Sequence, residues 1–342
     1  MFKFRVMERN ELLTDNDVAV EDLFLSLEWL IFVEKSNNLS LTVIEISNES
    51  QRVGYLSGFI FSVFGIKIFG SPFRGWSTCH MGFQMKSLAI NAMIVDEAID
   101  YLFKMVGCKY VEIIDRKFNE VFRAEFKGIT EKIESIEVDL GNSIDDLFSS
   151  FKKDARNFVR QFDKKGGKIR RVNPSMQFAA VYYDQLVDVF SRQNAKPTYS
   201  LEKVRFICDY FKESDSILCL QAENESGVCI ASSIFFADKN RAFFWGGASY
   251  RIFQGHRPNE AMIWFAFQYW KNKGCKTIDL VGIRDYKLKF SPEKITYFKI
   301  IASKYRILIL LRNFAERLFF LKLKIEVLLA KIFLPPKSVN KK

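Results

Sequence analysis

Histidine is almost absent from this sequence. Among 342 residues only His80 and His256 carry an imidazole. Neither has a second His or a Cys at ligand spacing, which argues against a multi-histidine metal site. The six cysteines (Cys79, Cys108, Cys208, Cys219, Cys229 and Cys275) contain no CxxC pair. Most lie in apolar runs and read as reduced core thiols of a cytosolic protein. Long apolar runs are missing as well. The longest uncharged stretch extends only from Val53 to Ile66, whereas a spanning helix needs about 20 residues. The N-terminus, Met1 to Glu8, has no apolar h-region, so no secretory leader is expected. There is no GxSxG, no Walker A and no GxGxxG, which leaves the common hydrolase and nucleotide-binding signatures without support.

What is present is globular. Apolar residues make up 49% and charged residues 27%, and at roughly 100–200 residues per domain the length suggests two domains with an appendage. The 35 phenylalanines imply an unusually aromatic core. The formal net charge is +11, but residues 304–342 contribute +8 of it. The first 303 residues are therefore not broadly cationic, which weakens a nucleic-acid reading based on charge alone.

The chain repeats itself. Gly107-Cys108-Lys109-Tyr110-Val111-Glu112-Ile113 reappears as Gly274-Cys275-Lys276-Thr277-Ile278-Asp279-Leu280. A helical pattern precedes each glycine, over 88–106 and 259–273, and an apolar strand follows it. In the second copy, Ser216–Glu223, Val228–Ala237 and Arg241–Ser249 read as strands joined by short turns, hence antiparallel hairpins, and Thr277–Gly282 as a further strand. The first copy matches with Leu41–Ile46, Val53–Phe61, Ile66–Gly70 and Tyr110–Ile114. The order β-β-β-α-β implies a mixed, largely antiparallel sheet with packed helices, an α/β (α+β) class. Between the copies, Asn142-Ser143 caps one predicted helix of about five turns, with Ile144, Leu147, Phe148, Phe151, Ala155, Phe158, Val159 and Phe162 on one face. The boundary is placed near Gly141, giving units 1–141, 142–303 and 304–342. In the last unit Ile307, Leu311, Phe314, Leu318, Leu321, Ile325, Leu328 and Ile332 predict one long amphipathic helix ended by Pro335-Pro336. It suits an anionic membrane, with Arg306, Arg312, Arg317, Lys324 and Lys331 toward headgroups. Fold-back on the first domain and self-association are the alternatives.

Four stretches resemble the tandem GNAT fold, and within it the Fem-type peptidyltransferases and their FemAB-like relatives. They are Phe151–Arg160 closed by Lys164-Lys165-Gly166-Gly167, Gly70-Ser71-Pro72-Phe73-Arg74-Gly75-Trp76, Phe244–Ser249 followed by an Asn-Glu helix, and Tyr286-Lys287-Leu288-Lys289-Phe290. The resemblance implies an acyl- or aminoacyltransferase acting on an amino group of a peptidoglycan or surface-polysaccharide precursor. The acceptor would be nucleotide- or lipid-linked and the donor an aminoacyl-tRNA, with no bound cofactor. An acyl-CoA-dependent N-acyltransferase on an amino sugar is the alternative. It is disfavoured because the place of a pyrophosphate loop reads Arg251–Asn259, with one glycine and with Pro258 lacking an N–H. A silent precursor-binding protein is the third reading. A cytoplasmic location at the inner face of the membrane follows from the same expectations.

The resemblance also distributes roles. Lys287 matches the lysine thought to stabilise the developing oxyanion, and Lys289 is its substitute after a small shift. His256, before the main helix, is the candidate base. Lys196 and Tyr199 fall where relatives carry acceptor-binding groups, and Trp245 and Asn259 belong to the matching strand-and-helix core. From the residues themselves, Lys152, Arg156, Arg160 and Lys164 form a cationic ridge suited to an anionic ligand. Arg74, Trp76 and His80 lie on a glycine-containing loop of the kind that carries binding groups. Asp279 is set aside as structural, because Glu112 holds the same place in the other copy.

Overall fold

The computed structural model describes residues 2–15, 22–49, 51–86, 89–191 and 195–333. The first half opens with β1 (Phe2–Val6), α1 (Arg9–Thr14) and α2 (Leu27–Asn37). A meander follows, of β2 (Ser40–Asn48), β3 (Gln51–Val63) and β4 (Ile66–Ser71), with short β5 (Gly82–Met85) on β3. Then come α3 (Ala92–Tyr101), β6 (Tyr110–Asp115), α4 (Glu120–Glu125) and β7 (Ile129–Asp139). The second half has α5 (Ile144–Ser150), α6 (Lys153–Lys164), β8 (Lys168–Val172), α7 (Met176–Ser191) and α8 (Leu201–Tyr210). Its meander is β9 (Ile217–Glu223), β10 (Cys229–Ala237) and β11 (Arg241–Ser249). It closes with α9 (Pro258–Asn272), β12 (Thr277–Asp279), β13 (Glu293–Ser303) and α10 (Arg306–Phe333). The repeat is real: each copy runs through an antiparallel meander, a helix ended by a left-handed glycine (Gly107 or Gly274) and a strand parallel to the last meander strand.

The expected five-turn linker helix is broken. Phe151 and Lys152 are extended, ending α5 and starting α6. The kink drives the Phe151 ring into a nest of Trp264, Phe267 and Phe290, at centroid distances of 5.4, 5.8 and 5.2 Å. The Lys152 N–H freed by the break donates to Lys289 O at 2.9 Å. The apolar spacing survives because both segments face the same core.

The described strands form one sheet in the order β1-β2-β3-β4-β6-β13-β7-β12-β11-β10-β9-β8, with β5 on β3. The two halves have exchanged their last strands. β7, from the first half, pairs with β12 of the second. β13, from the second half, pairs with β6 of the first. They also pair with each other from Glu293↔Glu137 to Ile301↔Ile129. Neither exchanged strand is assigned in the sequence reading, because β7 carries a charge at nearly every second position and shows no apolar run.

Two buried ion clusters lock the exchange. Arg116, just after β6, holds Asp279 of β12 at 2.8 Å and also Glu137 of β7, and Asp279 accepts from Ser135 Oγ at 2.7 Å. Its counterpart Glu112 accepts from Tyr110 Oη at 2.7 Å and faces Lys299 of β13 at 3.7 Å and Arg312 of α10 at 3.3 Å. The two acids therefore do occupy equivalent structural places. Apolar packing also crosses between halves: Trp29 of α2 lies 4.9 Å from Phe236 and 5.7 Å from Phe211.

Removing the guanidinium leaves buried Asp279 without its cation and Glu137 with Arg241 alone. Arg116→Ala is expected to cost about 3 kcal/mol, measured by denaturant unfolding. The signals of both halves should still disappear in one transition. Two separated transitions would show that the exchange does not couple them.

Candidate active site

The parallel pairing of β11 and β12 lasts only from Arg241↔Thr277 to Phe243↔Asp279. Beyond it β11 continues to Ser249 while β12 ends at Asp279. The chain after β12 turns sharply. Val281 has φ +54° and Gly282 φ +73°, and a β-branched residue in that region is strained by roughly 1–2 kcal/mol. Three hydrogen bonds hold the turn: Val281 N–H to Asp279 Oδ1 at 2.7 Å, Gly282 N–H to Ser135 Oγ at 3.1 Å, and Leu280 N–H to Ile136 O at 2.9 Å.

This turn aims two carbonyls at Lys287. Its Nζ donates to Leu280 O at 2.5 Å and to Val281 O at 2.7 Å, and it lies 5.2 Å from the Phe244 ring centre and 5.7 Å from that of Tyr286. The lysine is only 6% exposed. Burial lowers its pKa to about 8, with Asp279 opposing the shift. An ammonium that titrates near neutral pH is suited to proton transfer as well as to charge stabilisation.

The residue of β11 after Phe244 belongs to an aromatic wall. Trp245 packs on Tyr199 at 4.9 Å, and Tyr199 Oη meets Tyr182 Oη at 2.7 Å. Burial pushes the Tyr199 and Tyr286 phenols up to about 12 and Tyr182 well above its usual value. All three therefore stay protonated at neutral pH. Gly246 makes room for the pair, since a Cβ there would sit 2.5 Å from Tyr182 Oη. Lys196 is exposed on an open groove with Tyr183, Val187 and Tyr199.

Trp245, Tyr199 and Lys196 are thus neighbours, Lys287 lies over Phe244, the residue before Trp245 on β11, and the others are dispersed. Lys289 turns toward α6, with Asp154 at 3.3 Å, Glu260 at 3.6 Å and the Phe158 ring at 4.7 Å. His256 sits 3.6 Å from Glu225 in the β9–β10 turn. Asn259 Nδ2 reaches Ser249 Oγ at 3.4 Å, tying α9 to the end of β11. On the ridge, Arg156 donates to Ser149 O and Arg160 stacks over Phe148. Arg74 pairs with Glu316 of α10 at 3.2 Å. Two expectations are corrected. Trp76 is 8% exposed and packs edge-on against Phe59 at 5.2 Å, so it is core rather than a stacking platform. His80 is 1% exposed and is bonded to Asp22 at 3.0 Å, because the loop folds inward between the halves.

Tyr182 and the carbonyls of Leu280 and Val281 were missed. The Gly246-Gly247 step inside a strand was the available signal, since glycine there marks close approach by another group. Nothing in the sequence announced the left-handed valine.

Residues 149–289 match the model of the acetyltransferase (GNAT) domain family. No curated protein matches the chain. Among solved structures the fold is similar to FemX, with TM-score 0.71 and 12% identity over 90% of this chain and 99% of that one. It is also similar to the C-terminal domain of a protein assigned as a lysylphosphatidylglycerol synthetase from Agrobacterium fabrum (0.52, 11%, 85% and 91%). A tandem GNAT protein from the clavulanic acid biosynthesis pathway gives 0.51 and 8% over 89% and 98%.

The glycine–phenol contact gives a direct test. Gly246→Ala should destabilise by about 1–3 kcal/mol through overpacking. In a Tyr182→Phe background most of that cost should vanish, a coupling readable in a double-mutant cycle. Additive costs would mean that Gly246 is needed for some other reason.

Proposed function

We propose that this chain, whose residues 149–289 match the acetyltransferase (GNAT) domain family, transfers an acyl or aminoacyl group to an amino group of a peptidoglycan or surface-polysaccharide precursor. The observation that carries this reading is Lys287, buried beyond the last β11–β12 pair and held by two carbonyls. An ammonium has three N–H donors. Two are engaged by Leu280 and Val281, which leaves one for the reacting carbonyl. The neutral acceptor amine attacks that carbonyl, the C–N bond forms, and negative charge gathers on the oxygen near Lys287. Collapse breaks the C–O bond of the donor ester. Lys287 gives a proton to the departing oxygen and regains one from the new ammonium, a relay suited to a pKa of about 8. The Trp245–Tyr199 wall and Lys196 would line the acceptor, an apolar face beside one cation for a phosphate-bearing sugar.

For the donor we favour an aminoacyl-tRNA ester. The fold likeness to FemX supports this, as does the segment before α9. It forms a 3₁₀ turn over Arg251–His256, and α9 then begins with Pro258, without an N–H, and with Glu260 in its first turn. Helix starts that hold pyrophosphate offer free N–H groups and no buried acid. Acyl-CoA is the second reading, favoured by the description of the matching domain family.

Lys287→Ala should lower turnover by about 10²–10³ with acceptor affinity little changed. Wild-type turnover should fall as pH rises through about 8, where the ammonium is lost, and that falling limb should be absent from the residual activity of the variant. Full activity in a Lys287→Ala, Lys289→Ala double variant would remove the assignment.

Donor type has its own readout. Acetyl-CoA at about millimolar concentration should leave the melting temperature unchanged. Binding tighter than about 10 µM would stabilise by more than 2 kcal/mol through mass action, and a clear upward shift would favour the CoA enzyme.

A further inference from the structure

α10 is held to the body along one side only. Arg312 pairs with Glu131 at 2.9 Å and Glu112 at 3.3 Å, and Glu316 receives Arg74 and Arg312. Arg312 therefore points inward, not toward headgroups as its sequence position suggested. At 3.6 residues per turn, the opposite side carries Ile307, Leu310, Leu311, Phe314, Leu318 and Leu321. These are 48% to 63% exposed. Exposed Arg306 and Arg317 border this strip along one edge. The strip starts near other exposed apolar groups. Lys109 donates to Lys67 O at 2.8 Å and Lys304 donates to Lys109 O at 3.0 Å. That ladder sets the β3–β4 turn, with fully exposed Phe64, at the sheet end where α10 begins. Exposed lysines 67 and 304 stand there too.

We infer that α10 docks the protein on an anionic bilayer through this outward strip. Among the described residues no helix is long and apolar enough to cross a membrane, so α10 would lie in the interface, apolar side down and basic border among the headgroups. Charge selects the bilayer over a second copy. Paired helices need opposite charges flanking their seam. Residues 304–342 carry +8, and Glu316 is turned inward, so a second copy would bring like charge to like. Anionic lipid supplies the missing sign. The Arg74–Glu316 pair then fastens the loop before β5 to the docked helix, which would bring the body to a lipid-linked acceptor. This last step rests on the proposed function; the docking itself does not.

The test is co-sedimentation of the full-length protein with vesicles of phosphatidylglycerol mixed with phosphatidylcholine, and of phosphatidylcholine alone, without donor or acceptor. Binding is expected only to the anionic vesicles. It should weaken when salt rises from about 0.1 M to about 1 M, which shortens the Debye length from about 10 Å to about 3 Å. Leu311→Gln with Phe314→Gln should lower the partition coefficient at least about tenfold, while Val121→Gln, an exposed apolar site on α4, should not change it. Failure to sediment with anionic vesicles overturns the inference. So does a wild-type dimer in analytical ultracentrifugation that the double substitution dissociates. A fully active Lys287→Ala, Lys289→Ala protein that still sediments would leave docking intact while overturning the proposed function.

Discussion

The exchange of β7 and β13 is the constraint on which the rest of the molecule depends. Each half contributes a meander, a helix and a short parallel strand, and neither half closes its own sheet. β6 would be an open edge without β13, and β12 without β7. The central ladder is heavily charged, so apolar burial alone does not fix it. Its register depends on specific pairs: Arg116 with Asp279 and Glu137 on one side, Glu112 with Tyr110, Lys299 and Arg312 on the other. A register slip of one residue would face these charges into the opposite layer. Such ionic clusters contribute modestly to net stability but exclude alternative pairings.

The reactive corner inherits its geometry from that ladder. β12 is three residues long because Asp279, its last residue, is claimed by Arg116 and Ser135. The same carboxylate then accepts the N–H of Val281 and holds the left-handed turn. That turn presents the carbonyls that fix Lys287. One side chain thereby links the sheet's ion cluster to the orientation of an amine eight residues further on. Asp279 is structural in the sense the repeat suggested, yet its structural task is to shape the site.

Much of this was legible in the sequence. The helix–Gly–strand repeat identified β6 and β12, alternation and turn residues marked both meanders, and the 4-3-4-3 stripe marked α10, whose predicted Pro335-Pro336 stop lies outside the described residues. Lys287 was found through a motif, not through its environment. What escaped was non-local. β7 and β13 pair across sequence distances that no local pattern encodes. The break at Phe151 arises because Trp264, Phe267 and Phe290 capture its ring. Trp76 and His80 sat on a loop with binding-type composition, but the loop is tucked between the halves, so its polar groups serve packing. Loops lie on the surface as a rule, and here the junction overrides it.

The crossed strands also dictate an order of events at the ribosome. The first meander emerges early, together with α3 and β6, yet the partner that covers the edge of β6 follows the whole second meander in the chain. Until then β6 offers unpaired N–H and C=O groups beside apolar Val111 and Ile113, a template for stray strands. The nascent first half must therefore wait, protected or loosely folded, while the entire second half is made. Its final closure comes from a strand of the second half.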